Sequence, residues 1–233
     1  MPSSTKTPGE DIRLRMRRIY FVGLACLLAC ALGAQEPDTE LKPQLSPDKK
    51  WEYRILNDDM AALVKVGQEK PALELAEGEM LKIESGKLVW APDSRRFAFN
   101  FRAGGKYYSF ELYELAGTTW QKLPDVTETA ESVSEMIERS DRRELRKLKA
   151  TKNARPNSVR DKWQVLRWLD DDTFLASAAS ESKVLIDKKS EEPEYFGVTL
   201  VFKGKCDNRG GWKVTSCREP SKAEEEEISK TED

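Results

Sequence analysis

Followed position by position, the apolar and polar residues of this chain form a series of short alternating runs. They occur at "WEYRIL" (51–56), "AALVKV" (61–66), "ALEL" (72–75), "KLVW" (87–90), "RFAFNFR" (96–102), "YYSFELYEL" (107–115) and "TTWQKL" (118–123). A second group follows at "WQVLRW" (163–168), "TFLASAA" (173–179), "KVLID" (183–187), "YFGVTLVF" (195–202) and "GWKVTS" (211–216). Strand side chains alternate between faces, so short alternating runs divided by turn residues predict antiparallel β architecture. One segment departs from that period. Between residues 128 and 150, Val133, Met136, Ile137, Leu145 and Leu148 fall mostly at helical spacing, with Glu leading and Arg/Lys trailing as the helix dipole favours. The pattern therefore predicts a mainly β domain over 45–217 with one amphipathic helix inserted at about 128–150.

The run around residue 104 also predicts a register. If Gly104-Gly105 is a two-residue turn, Phe101 faces Tyr108, Phe99 faces Phe110 and Phe97 faces Leu112, which lines apolar pairs along one face. A phosphate loop is excluded there. "AGGKYY" lacks the upstream Gly, the hydroxyl after Lys106 and a following helix.

Turn chemistry repeats. "LSPDKKWEY" (45–53) aligns with "WAPDSRRFAF" (90–99), each a Pro-Asp turn running into a strand. "WLDDDTFLA" (168–176) reads as a degraded third copy, with Asp170 in place of Pro and one residue fewer. Trp opens a second recurring element at "TWQKL", "KWQVL" and "GWKVT". On these residues the chain resembles the WD-repeat-like propeller repeats of the Tol-type periplasmic protein and of prolyl-oligopeptidase-type propeller domains. Lys49 and Ser94 stand where that motif usually has Gly. The resemblance implies four-stranded meanders as blades. The chain has room for about three, fewer than the four to eight of closed propellers. The fold expected is therefore a set of antiparallel, propeller-like meanders forming an open or incomplete arc.

The ends differ from this middle. Arg13, Arg15, Arg17 and Arg18 precede an uncharged 16-residue run from Ile19 to Ala34, which reads as a secretory signal over residues 1–34. Two processing routes fit it: cleavage near Ala34-Gln35, or lipidation at Cys30, the end of a "LLAC" box. Residues 35–44 read as a linker, and 218–233 as a disordered acidic tail. Losing residues 1–34 would remove five basic and two acidic residues from totals of 39 and 41, leaving 34 and 39. That acidic balance argues against nucleic acid, and it leaves a lipid anchor as the sole expected membrane contact. Cys206 and Cys217 would remain, a candidate disulfide in an exported protein. A tight turn at Gly210-Gly211 would place Cys206 opposite Thr215, so a bridge requires a wider loop.

Composition removes much catalytic chemistry. Without histidine there is no Ser-His-Asp or Cys-His centre of the usual build, and no zinc site with His ligands. No G-x-S-x-G elbow is present. "NDD" (57–59) and Asp170-Asp171-Asp172 read as solvated turns, so no catalytic residue, metal or cofactor is expected. Together these features predict an exported, periplasmic or envelope-associated, non-catalytic protein with a β surface for a protein partner or a second copy of itself. The rival reading is a glycan-binding or carboxylate-based glycan-active protein, which requires exposed Trp beside Asp or Glu.

Overall fold

Three antiparallel meanders make up the domain. β1 (Trp51–Leu56), β2 (Met60–Lys65) and β3 (Pro71–Glu74) form a three-stranded sheet in that order. β4 (Lys87–Trp90), β5 (Arg96–Arg102), β6 (Tyr107–Ala116) and β7 (Thr119–Lys122) pair in succession. After α1 (Val126–Thr129) and α2 (Glu131–Lys147), β8 (Asn157–Trp168), β9 (Thr173–Val184), β10 (Glu194–Cys206) and β11 (Trp212–Arg218) form the third meander. The second and third join where β6 and β8 pair in parallel, at Tyr107–Asp161 and Tyr108–Lys162. α3 (Lys222–Ser229) follows. This is a computed structural model that describes residues 44–56, 60–75, 86–148, 157–185 and 192–231. The expected export signal with Cys30, most of the expected linker and "NDD" lie outside them. The mainly β, antiparallel expectation with its helical insertion is met, and among the described residues neither sheet closes on itself.

The second meander is the middle layer, buried on both faces. On one side Leu88, Phe97, Phe99, Phe101, Tyr113 and Trp120 pack with Ala61, Leu63 and Leu75 of the first meander. On the other, Ala98, Phe110 and Leu112 pack with Val165, Phe174 and Phe202 of the third, and with Val133 and Ile137 of α2. Burying each such side chain fully stabilises the fold by about 1.5–3 kcal/mol, and the rings interlock, with Phe97 stacked on Tyr113 at 4.9 Å. Two-sided burial also explains a difference in register. Arg102 faces Tyr108, Ala98 faces Leu112 and Phe97 faces Tyr113, one residue away from the two-residue-turn expectation. The Tyr107 amide donates to the Gly104 carbonyl at 3.1 Å, and both Gly104 and Gly105 have positive φ. With a core on each side, apolar residues from opposite faces are both accommodated, so the one-face argument does not select the register.

The seam between the second and third meanders is polar. Asn100 of β5 donates from Nδ2 to the Val165 carbonyl at 2.8 Å and accepts the Val165 amide on Oδ1 at 2.9 Å. The side-chain amide thus takes the place of a neighbouring strand beside a β8 segment whose register shifts between Val165 and Arg167. Trp168 Nε1 donates to the Val89 carbonyl at 2.9 Å, and Arg96 Nη1 to the Asp171 carbonyl at 3.1 Å.

The repeated turns share one mechanism. Asp48 accepts the Lys50 amide, Asp93 the Arg95 amide and Asp170 the Asp172 amide, each two residues on. Turns one and two are closed by Ser46 N to Trp51 O and Ala91 N to Arg96 O, whereas the third spans one residue fewer, Leu169 N to Thr173 O. Asp207, which accepts the Arg209 amide at 2.7 Å, makes a fourth member that the sequence pattern did not single out. Lys49 and Ser94, at the motif's Gly position, both have left-handed backbone, φ 59 and 61. Ser94 Oγ also accepts the Asp48 amide at 2.9 Å, so the first two turns contact each other.

The acidic tail departs from expectation: residues 222–229 are helical. Ser221 donates from both its amide and its hydroxyl to Glu224 at 2.8 Å, and Glu224 and Glu225 occupy the first turn, where the helix dipole favours them.

Two tests follow from these contacts. Asn100→Asp keeps the shape but turns an oxygen toward the Val165 carbonyl, and should cost about 3 kcal/mol in urea unfolding. Lys49→Gly should stabilise the protein by about 0.5–1 kcal/mol by relieving the left-handed backbone. Ser94→Gly should destabilise it, because the acceptor for Asp48 N is lost. A gain from both substitutions would refute the assigned role of Ser94.

Candidate functional site

A cleft lies where β8 parts from β6. Its volume is about 340 Å³, and its walls include Lys87 of β4, Asn100 of β5, Tyr108 and Ser109 of β6, Lys162 of β8 and Lys230 after α3. The cations arrive from three parts of the chain because β8 pairs with β6 for only two residues before Val165 docks on Asn100. Lys162 is buried, 6% exposed, and its Nζ lies 5.6 Å from the centre of the Tyr108 ring. Arg102 and Arg160 approach the same ring at 5.6 Å each. An aromatic face attracts cations, so Tyr108 holds these like charges together. Among the described residues lining the cleft there is no carboxylate.

α3 forms one lip. Gln164 Nε2 donates to Thr231 Oγ1 at 2.7 Å, and Arg167 pairs with Glu227, tying the end of α3 to β8. At its start, Arg218 donates through both terminal nitrogens to the two Glu224 oxygens, each at 2.8 Å. That guanidinium fork, with the Ser221 amide, holds the Glu224 carboxyl down to about 2.

The site residues expected from sequence are not brought together. Cys206 and Cys217 are both free. Cys206 faces Trp212 and Cys217 faces Phe202, so the thiols lie four strand positions apart, about 13 Å at a strand's rise and beyond disulfide reach. The wide loop a bridge requires does not form, because Asp207 takes the Arg209 and Gly211 amides and tightens the turn. Burial pushes the Cys206 thiol up to about 12, which leaves it uncharged and unreactive near neutral pH. Asp170 and Asp172 are engaged in their own turn with Thr173. Among the described residues no group of three or more Cys, Asp or Glu is placed to hold a metal ion. All six Trp pack into the two cores: Trp51, Trp90 and Trp120 in one, and Trp163, Trp168 and Trp212 in the other. The cleft itself had no local sequence signal, since Lys87, Lys162 and Lys230 are far apart in the chain.

The exposed apolar residues concentrate at strand ends. Tyr195 is 57% exposed and Leu185 54%. Tyr195 faces Lys183 across the β9–β10 pair, so Leu185, two residues on, lies on the same face. Tyr107 is half exposed at the start of β6. No described helix is long and apolar enough to cross a membrane. Compared with known proteins, the chain matches no family model, no curated protein and no solved structure.

The α3 clamp predicts a pH dependence. Glu224 titrates near 2 when folded, against an ordinary 4.5, so its contribution is complete above about 4.5 and is lost as pH falls toward 2. Glu224→Gln should therefore lower the melting temperature by a constant amount above pH 5, with the two proteins converging toward pH 2. A gap that stays constant down to pH 2 would contradict the clamp.

Proposed function

We propose that this is an exported, non-catalytic protein whose three meanders act as blade-like units of an open, propeller-like arc, with an exposed β face for a protein partner. The observation that carries the reading is the distribution of aromatic and aliphatic surface. Every Trp is committed to the two cores, whereas Tyr195 at the start of β10 and Leu185 just after β9 are exposed on the same face. Exposed Tyr beside an aliphatic side chain is the composition of an interface centre, since it gives large contact area at small entropic cost.

The remaining chemistry supports a binding role. With no histidine in the chain and burial holding the Cys206 thiol neutral, the described residues offer no histidine-based or Cys206 thiolate centre. The glycan reading needs Trp faces open to stack on sugar rings, and the Trp side chains are used in packing instead.

The experiment is site-specific photo-crosslinking in cells, with a photoreactive residue at Tyr195 and, separately, at Lys222 on the outer side of α3 as control. A discrete protein adduct from position 195, absent at 222 and abolished by Leu185→Asp, is expected. Absence of an adduct at 195 would overturn the assignment of this face, and a self-adduct would identify the partner as a second copy.

A further inference from the structure

We propose that Asp141 is a proton-operated latch between α2 and the sheet beneath it, closed when the side chain is a neutral acid and opened when it is a carboxylate. The helix is built in two parts. Its fully buried side chains, Val133 and Ile137, lie in the first half and belong to the core. Beyond Ile137, polar contacts tie it to the rest of the protein. Ser180 Oγ donates to Asp141 Oδ2 at 3.2 Å, and Arg143 pairs with Glu219, also at 3.2 Å, with both of those side chains more than half exposed. An exposed ion pair contributes little, so the state of Asp141 weighs heavily in whether this half stays docked.

The floor under that contact is polar. Residues directly opposite on neighbouring strands share a face, so Ser180 of β9 stands beside Asp161 of β8, and Ser182 beside Ser158. On the other side of Ser180, β10 presents Val198. Asp161 accepts the Ser158 hydroxyl on both oxygens, at 3.2 and 3.1 Å. A carboxyl from the helix and one from the strand thus flank one buried serine. Glu138 and Glu144 lie three residues to either side of Asp141 on α2, each with a cation of its own, Arg142 and Lys147. By alternation, Arg160 and Lys162 of β8 and Glu181 and Lys183 of β9 belong to the opposite face of the sheet.

This arrangement favours the neutral acid. Burial raises the Asp141 carboxyl above its ordinary 3.8, and repulsion from Asp161, Glu138 and Glu144 adds to the rise, while the Ser180 hydrogen bond works against it. Asp141 Oδ1 is buried with no hydrogen-bond partner among the described residues, which costs a carboxylate far more than a neutral acid. The acid donates from Oδ2 to Ser180 Oγ across the same gap, so the contact survives protonation with its direction reversed. Docking is therefore complete below the ordinary 3.8 and weakens as pH rises through the higher titration of the docked carboxyl.

The latch is independent of the protein-partner reading, because Ser180 and Val198 lie on the face opposite Tyr195 and its neighbour Lys183. It is tested by hydrogen exchange on the full chain from pH 4 to pH 7, corrected for the intrinsic pH dependence of exchange. The readout is the opening of residues 138–148, with β9 as the internal reference, in the wild type, Asp141→Asn and Asp161→Asn. Each pH unit between the docked and released titrations corresponds to about a tenfold change in the opening constant.

The expected result is that opening of 138–148 in the wild type increases by about threefold or more across this range, while β9 does not change. Asp141→Asn should hold the segment closed at every pH, and Asp161→Asn should show a smaller rise than the wild type. A wild-type opening constant that does not vary with pH would overturn the latch, as would the full wild-type rise in Asp141→Asn. An equal rise in β9 would mean loss of the whole fold and would overturn it too. If Asp141→Asn does not fold, Asp161→Asn decides the outcome, and an undiminished rise there counts against the latch.

Discussion

The junction at Asn100 holds the architecture together. Two four-stranded meanders meet edge to edge for only two residue pairs, at Tyr107–Asp161 and Tyr108–Lys162. Beyond that point β8 has no strand partner on this side, and its backbone requires hydrogen bonds from elsewhere. Asn100 supplies both in one planar group, which also fixes the height at which Val165 enters the core. From there Trp168 can reach the Val89 carbonyl and Arg96 the Asp171 carbonyl. The separation of β8 from β6 creates the cationic cleft, so the seam and the site are two results of the same divergence.

The layered arrangement determines which details were legible beforehand. Most strand positions followed from alternation, although Lys183 and Val184 of the separate run expected at 183–187 end β9, and β8 starts at Asn157, ahead of the run read from 163; the helical insertion followed from the spacing of Val133 and Ile137, because that element buries a defined stripe. The Pro-Asp turns were legible for a local reason, since an Asp side chain capping the amide two residues on needs no tertiary help. Lys49 and Ser94 were marked as Gly substitutes by the motif, and both adopt the backbone that Gly would favour.

Other features depended on long-range structure. The register of the β5–β6 hairpin cannot be read from its apolar residues, because the middle sheet is covered on both sides. The Ser221-x-x-Glu224 pattern did signal a helix start, but the run of glutamates that follows lacks apolar periodicity and masks it. The separation of Cys206 from Cys217 follows from the tight turn around Asp207. The cleft requires Lys87 and Lys230, 143 residues apart in the sequence, to be carried to one place.

The hydrogen bond from the Asp48 amide to Ser94 Oγ has a consequence for how the repeat can vary. Two turns built on one pattern have become unequal partners, one giving a proton and the other receiving it. A glycine in the first removes a local strain, whereas in the second it also removes the handshake between neighbouring units. Copies in this relation are not free to converge on a common consensus. Divergence between the turns is thus a condition of their contact, and an averaged repeat sequence would describe neither of them.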